Sequence, residues 1–110
     1  MSTYKNYLSL KKYFKEIYPD IIVSIKMYNS PIKHLYLHKI SVPDEYKNKG
    51  IGTKIMQTIC DFCDKEKLVC MLEPTSVFGS NLERLIHFYN RFGFIFSNKS
   101  ENDEMIRNSI

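Results

Sequence analysis

The chain has 110 residues, which suits one compact domain spanning residues 1–110 and excludes two domains of ordinary size. Its 44% hydrophobic and 25% charged residues are typical of a globular protein, and no apolar run approaches the roughly 18 residues of a membrane-spanning helix. The N-terminus lacks the apolar segment of a signal peptide, and the three cysteines lack disulfide-scaffold spacing, so we expect a cytoplasmic location. The net charge of +4 suits a polyanionic ligand, either a small molecule or a nucleic acid, without deciding between them.

The N-terminal part of the chain predicts a helix followed by a β-hairpin. Residues 3–18 form an amphipathic pattern that should end at Tyr18, because Pro19 disfavours helical geometry in the residue before it. Residues 21–28 and 33–42 are short and largely apolar, with a turn between them, and predict two paired strands. Strict alternation along the second strand would place one set of side chains on a common face: His34, Tyr36, His38, Ile40 and Val42.

Two glycines, Gly50 and Gly52, lie between the second strand and a helix predicted over residues 52–66. Glycine permits a tight turn with positive φ and a close approach of a ligand to the backbone. The first N–H groups of a helix have no partner within the helix, and together with the helix dipole they favour an anion. This helix has no acidic residue before Asp61, so the negative charge that its first turn favours would come from outside, most simply from a phosphate. The spacing is neither that of a Walker loop nor that of a Rossmann fingerprint.

The C-terminal part predicts a strand, a helix and a closing hairpin. Residues 67–73 predict a strand parallel to the second one, because a connection through a helix is a crossover. Ser80 to Glu83 has the form of a capping box, and Gly93 is placed to end the helix that follows with positive φ. Residues 94–98 and 104–109 then predict paired strands. We therefore expect an α/β (α+β) fold, with a mixed, mostly antiparallel sheet and flanking helices.

Two segments of the chain resemble one protein family. Lys47 to Gly52 resembles the acyl-CoA-binding signature of the GNAT N-acetyltransferase superfamily, which is Arg or Gln, two variable residues, Gly, one variable residue, then Gly or Ala. Phe88 to Phe94 resembles the family's second mark, an aromatic–Tyr pair followed by a basic residue and Gly-Phe. Either motif alone is unspecific, but both in order, with matching predicted elements between them, form a specific signal over residues 34–109. The resemblance implies the acyl-CoA N-acyltransferase fold.

The resemblance also implies acetyl-CoA as the co-substrate, and no metal. The pyrophosphate would lie on backbone N–H groups of the glycine turn, and the pantetheine arm would pair with the second strand as an added strand does. The residues implied to bind it are Ile40, Ser41, Val42, Lys47, Asn48, Lys49, Gly50, Ile51, Gly52 and Thr53. This arrangement requires the second strand and the 67–73 strand to separate, with the acetyl group in the gap and the acceptor approaching from the other side.

The chemistry that the resemblance implies is direct attack of a neutral primary amine on the thioester. Tyr89 stands where the family often places the proton donor to the leaving thiolate. Family members commonly use an acidic residue of the central strand as the base, but residues 34–42 contain none. His38 and Glu73 are the candidates, and a water chain without a dedicated base is equally compatible with the sequence. Histidine changes charge near neutral pH, whereas a glutamate would need burial to act as a base there.

The chain departs from the family pattern in three ways. Lys47 replaces the usual Arg or Gln, and Asn48 replaces a frequent Gly; both should be tolerated, because contacts there are mainly through the backbone. Family domains also carry a further strand and helix before the hairpin, where this chain has one helix. We therefore expect a more open acceptor groove, suited to a peptide or protein, or a groove completed by another chain in a homodimer. The acceptor itself, small molecule or protein, is left open.

Several other interpretations fit parts of the sequence. The chain could be a CoA-binding module without turnover, which the absent strand acid favours, or a small basic nucleic-acid-binding protein, against which the lack of a known motif counts. Tyr89 could be a core tyrosine. The cysteines Cys60, Cys63 and Cys70 are interpreted as packing residues rather than metal ligands or redox groups. The acidic turn at 101–104 is interpreted as solvated, or as attracting a cationic acceptor.

Overall fold

The computed structural model describes residues 2–30, 32–46, 49–74, 82–97 and 104–109 of the chain. The described helices are α1 (Thr3–Ile17), α2 (Ile51–Glu66) and α3 (Leu82–Asn90), with a short 3-10 helix at Asp44–Tyr46. The described strands are β1 (Ile22–Tyr28), β2 (His34–Ser41), β3 (Val69–Leu72), β4 (Ile95–Phe96) and β5 (Met105–Arg107). No helix in these ranges is long and apolar enough to cross a membrane.

The strands form one mixed sheet in the order β1-β2-β3-β5-β4. β2 and β3 are parallel, as the crossover through α2 predicts, and the other neighbouring pairs are antiparallel. The predicted α/β fold with a mixed, mostly antiparallel sheet is therefore confirmed.

The predicted elements are present, most of them with shorter ends. α1 is capped by Ser2, whose side chain accepts a hydrogen bond from the backbone N–H of Lys5 at 3.2 Å. Gly93 has a φ of 93° just after α3, as predicted for the residue that ends a helix. Ser80, the predicted cap of α3, and the predicted turn at 99–103 lie outside the described residues.

β2 contains a β-bulge at His38, which alternation along the strand does not predict. Ser24 of β1 pairs with Lys39, whereas the next residue of β1, Ile25, pairs with Leu37. His38 is therefore the extra residue, inserted opposite the junction between two consecutive residues of β1.

The bulge changes which side chains face the core at the end of β2. Ile40 pairs with Val23 and packs half-buried against the core, although alternation places it on the face of His34 and Tyr36. That prediction is wrong because one inserted residue shifts the alternation by one position. His38 remains on the face of Tyr36, and the centroids of the two rings are 4.6 Å apart.

The helices pack against one face of the sheet. Its buried strand residues are Ile25, Leu35, Leu37, Cys70, Leu72 and Met105. The buried helix residues in the same core are Tyr7, Leu10, Phe14, Ile55, Met56, Ile59, Cys60 and Cys63, and half-buried residues of α3 pack against them. The opposite face, called the open face below, carries no helix among the described residues.

Arg107 of β5 joins three elements on the core side. Its guanidinium donates two hydrogen bonds to the carboxylate of Asp64 in α2, at 2.8 and 2.9 Å, and its Nε donates a third to the carbonyl oxygen of Phe92 at 2.7 Å. The Arg107 side chain is 7% exposed and the Asp64 side chain 26%. The hydrogen bond to Asp64 is the main cause that raises the pKa of Arg107. Because Phe92 follows α3, this contact fixes α2 and the end of α3 to the same strand.

Candidate functional site

The glycine turn leads into α2 in a form that suits an anion. Gly50 is the N-cap residue, with a left-handed φ of 74°, and none of the described side chains caps the helix there. The first turn of α2 contains no acidic residue, and a Cβ placed on Gly50 would meet no atom of the described residues within 4 Å. The described residues therefore leave the space beside Gly50 open, and a helix start of this kind can bind an anion. Of the residues implied to bind acetyl-CoA, Lys47 and Asn48 lie outside the described part of the chain.

The aromatic segment of α3 lies against the start of α2. A Cβ placed on Gly52 would lie 3.9 Å from Cζ of Phe88. The ring of Tyr89 meets Phe88 and Phe94 in edge-to-face geometry, with centroids 5.4 and 5.9 Å apart. The two segments that carry the family resemblance are therefore neighbours in space.

Tyr89 is half-buried on the core side of the sheet. Burial is the main cause that raises the pKa of its phenol above the ordinary value of 10.0, and the nearby Cys70 raises this pKa further. The phenol therefore keeps its proton at neutral pH and can act as a proton donor.

β2 continues beyond the end of β3. The parallel pairing stops at Leu37 and Leu72, whereas β2 runs on to Ser41 and is paired there with β1. Ile40, Ser41 and Val42 are half-buried along this stretch. The pairing of the two strands thus ends on the side where the resemblance implies a gap between them.

His38 and Glu73 lie across the sheet from Tyr89. Nε2 of His38 is 3.4 Å from the hydroxyl oxygen of Tyr28 on the open face. Leu72 is buried on the core face, so alternation places Glu73 on the open face, where it is exposed. The burial that would make Glu73 an effective base is therefore not present.

Glu104, which the sequence suggested only as part of an acidic turn that could attract a cationic acceptor, lines the same face as His38. Leu72 pairs with Met105, so continuing this antiparallel register by one residue sets Glu73 beside Glu104 on the open face. Both carboxylates act on Tyr36: burial, then Glu104, then Glu73 raise the pKa of its phenol. The pairing of β3 with β5 links distant parts of the chain, so no local signal in the sequence could have indicated this pair.

The open face forms a groove of about 480 Å³. Its floor, called the apolar floor below, consists of Val69, Met71 and Ile106. Its other lining residues are Tyr28, Ser30, Ile32, His34, Tyr36, His38, Ser97, Glu104 and Asn108. Neither a lysine nor an arginine is among the described lining residues.

The cysteines are packing residues, as the sequence predicts. Cys60, Cys63 and Cys70 are free thiols with 1% exposure or less. Burial is the main cause that raises the pKa of Cys60 to about 11. Among the described residues, no three His, Cys, Asp or Glu side chains are grouped so that they could hold a metal ion.

Comparison with known proteins gives one family and several structural neighbours. The model of the acetyltransferase (GNAT) family matches residues 18–94. No curated protein matches the chain in sequence. The crystal structure of the anti-CRISPR protein AcrVA5 is similar at 16% identity and a TM-score of 0.63, over 78% of this chain and 86% of that one.

Two further neighbours have been solved with CoA or a CoA conjugate. Arabidopsis thaliana Naa50, in complex with the bisubstrate analogue CoA-Ac-MVNAL, is 24% identical with a TM-score of 0.54, over 78% of this chain and 60% of that one. The NatC complex bound to Gag peptide and CoA gives 18% identity and a TM-score of 0.58, over 94% of this chain and 80% of that one. At these identities the likeness shows a shared fold.

Proposed function

This chain belongs to the acetyltransferase (GNAT) family, and from that membership we propose that it is an acetyl-CoA-dependent N-acetyltransferase acting on a primary amine. The observation that carries the proposal is the contact between the start of α2, which follows β2 in the chain, and the Phe88–Tyr89 segment of α3. It brings together the two segments that carry the family resemblance.

The start of α2 would bind the pyrophosphate of acetyl-CoA. The backbone N–H groups of Ile51, Gly52 and Thr53 would donate to its oxygens, and the positive φ of Gly50 leaves room for their approach. The pantetheine arm would pair with β2 at Ile40 to Val42, next to the end of β3. The CoA-containing complexes of Naa50 and NatC support such a co-substrate for this fold.

The acceptor amine and Tyr89 would act from opposite sides of the sheet. On the open face, His38 would take a proton from the acceptor's ammonium group, because an amine must be neutral to attack. The nitrogen then forms a bond to the acetyl carbon, the bond from that carbon to the CoA sulfur breaks, and the nitrogen loses its second proton to water, which leaves a neutral amide. On the core side, Tyr89 keeps its proton because burial raises the pKa of its phenol, and it would give that proton to the leaving thiolate and regain one from water.

A thiol-release assay tests the proposal. Acetyl-CoA is mixed with the protein and a panel of amines and peptides, and free CoA is measured together with the mass of each acceptor. We expect CoA release that depends on the acceptor, with one acetyl group added to it. Tight binding of acetyl-CoA without release by any acceptor would instead assign the chain as a CoA-binding module, which the exposed position of Glu73 favours.

A further inference from the structure

The groove on the open face has the size of a small-molecule site. Its volume of about 480 Å³ lies within the roughly 300–1,000 Å³ of ligand pockets. One wall is preorganised: the buried ring of His34 stacks on Tyr28 with centroids 5.2 Å apart, and its Nδ1 lies 2.8 Å from the carbonyl oxygen of Ile32. This wall of the groove is therefore held in place by contacts within the protein.

Charge is distributed unevenly across this groove. On the β5 side Glu104 lines it, and the register sets Glu73 beside Glu104. On the β1 side the ammonium group of Lys26 lies 5.3 Å from the centroid of the Tyr28 ring, so a cation already occupies that side. A ligand with one positive charge, placed on the β5 side, complements this distribution.

We propose that the groove binds the acceptor, and that the acceptor is a small primary amine joined to an apolar body. Its ammonium group lies between Glu73 and Glu104, within reach of His38, and its body lies on the apolar floor. This assignment rests on the proposed function, since it places the amine on the side of the sheet where His38 is.

The apolar floor disfavours a peptide as the occupant. The groove lies on the face of a sheet whose backbone groups are paired within the sheet, so the floor presents side chains alone. A peptide backbone laid on Val69, Met71 and Ile106 would lose hydrogen bonds to water without replacing them. A diamine is disfavoured for a similar reason, because its second ammonium group would meet the floor or Lys26.

Histidine resonances test the groove without any turnover. The chain has three histidines, of which His34 and His38 line the groove, whereas His87 lies on α3 and serves as an internal control. We expect hexylamine, titrated into nitrogen-labelled protein, to shift the imidazole signals of His34 and His38 and to leave those of His87 unchanged. Unchanged signals for all three at tens of millimolar hexylamine would overturn the assignment.

Steady-state kinetics test the charge complementarity. Glu104→Gln should raise KM for hexylamine by about tenfold, because a hydrogen bond to a charged group is lost, and should leave KM for acetyl-CoA unchanged. Asp61→Asn is the matched control, since Asp61 is exposed on α2 on the other side of the sheet. Hexamethylenediamine should have a higher KM than hexylamine. Equal KM values for wild type and Glu104→Gln, or a preference for the diamine, would contradict the assignment.

Failure of this inference can be told apart from failure of the proposed function. If no amine or peptide releases CoA, the proposed function falls, while the histidine shifts still report on the groove. If peptides are acetylated at rates that Glu104→Gln does not change, the function stands and the inference falls. A dimer in sedimentation, combined with unchanged histidine signals, would assign the open face to a second copy of the chain and overturn the inference.

Discussion

Gly52 faces the ring of Phe88, and a Cβ at residue 52 would lie 3.9 Å from Cζ of that ring. This relationship joins the two segments on which the family resemblance depends. The two glycines of the turn differ in their tolerance of a side chain. Gly52 has room for a methyl group within α2, whereas Gly50 has a left-handed φ of 74° that strains any residue with a Cβ.

Alanine substitutions at the two glycines should change stability in opposite directions. Gly50→Ala should lower the free energy of unfolding by about 1 kcal/mol, because a Cβ is strained at positive φ. Gly52→Ala should raise it by up to about 1 kcal/mol, since alanine favours the helix and 3.9 Å is an ordinary contact. Urea unfolding of both variants measures this, and a destabilised Gly52→Ala with an unaffected Gly50→Ala would contradict the described turn.

Removing the guanidinium of Arg107 should destabilise the protein strongly. Arg107→Met leaves the carboxylate of Asp64 and the carbonyl of Phe92 without these hydrogen bonds, at a cost of about 3 kcal/mol or more. Arg107→Lys keeps the charge but loses the paired geometry, so its loss should be smaller. Thermal unfolding of the two variants ranks their stabilities. If Arg107→Met lowered the free energy of unfolding by less than about 0.5 kcal/mol, the ion pair would behave like one on the surface, which would contradict this prediction.

Tyr89→Phe should reduce kcat by about 100-fold and leave the affinity for acetyl-CoA unchanged, because a general acid acts in the chemical step. Folding raises the pKa of Tyr89 above 10.0, so its protonated form persists into alkaline solution. The contribution of this pKa shift to the free energy of unfolding is therefore fully present below pH 10.0, and it is lost as the pH rises through the folded-state pKa of Tyr89. The kcat ratio of the two proteins should be constant from pH 7 to 9, and a kcat equal to wild type would remove Tyr89 from the mechanism.

The sequence predicted the features that depend on local pattern. Helix periodicity, the crossover after β2 and the positive φ of Gly93 follow from residue spacing and glycine chemistry. The sequence did not indicate the bulge at His38, because the residue types along β2 do not show where an extra residue interrupts the alternation of faces. Arg107 and Asp64 are 43 residues apart, and like Glu73 and Glu104 they meet only through the register of β5, which no local pattern specifies.

The three thiols should be unreactive in the folded protein. Cys60 is 1% exposed with its pKa raised to about 11 by burial, and Cys63 and Cys70 are fully buried. At pH 8 an alkylating reagent should modify none of them until the protein is unfolded, when all three should react, because the thiolate is the reactive form. Mass spectrometry counts the modified sites, and rapid labelling of native protein would contradict the described core.

Calorimetric titration of the protein with acetyl-CoA tests the central claim most directly, because it needs no acceptor. We expect one binding site that CoA competes for and that Gly50→Ala weakens, since that residue opens the turn to the pyrophosphate. No heat of binding, together with no thermal stabilisation at millimolar acetyl-CoA, would contradict the assignment of this chain as an acetyl-CoA-dependent enzyme.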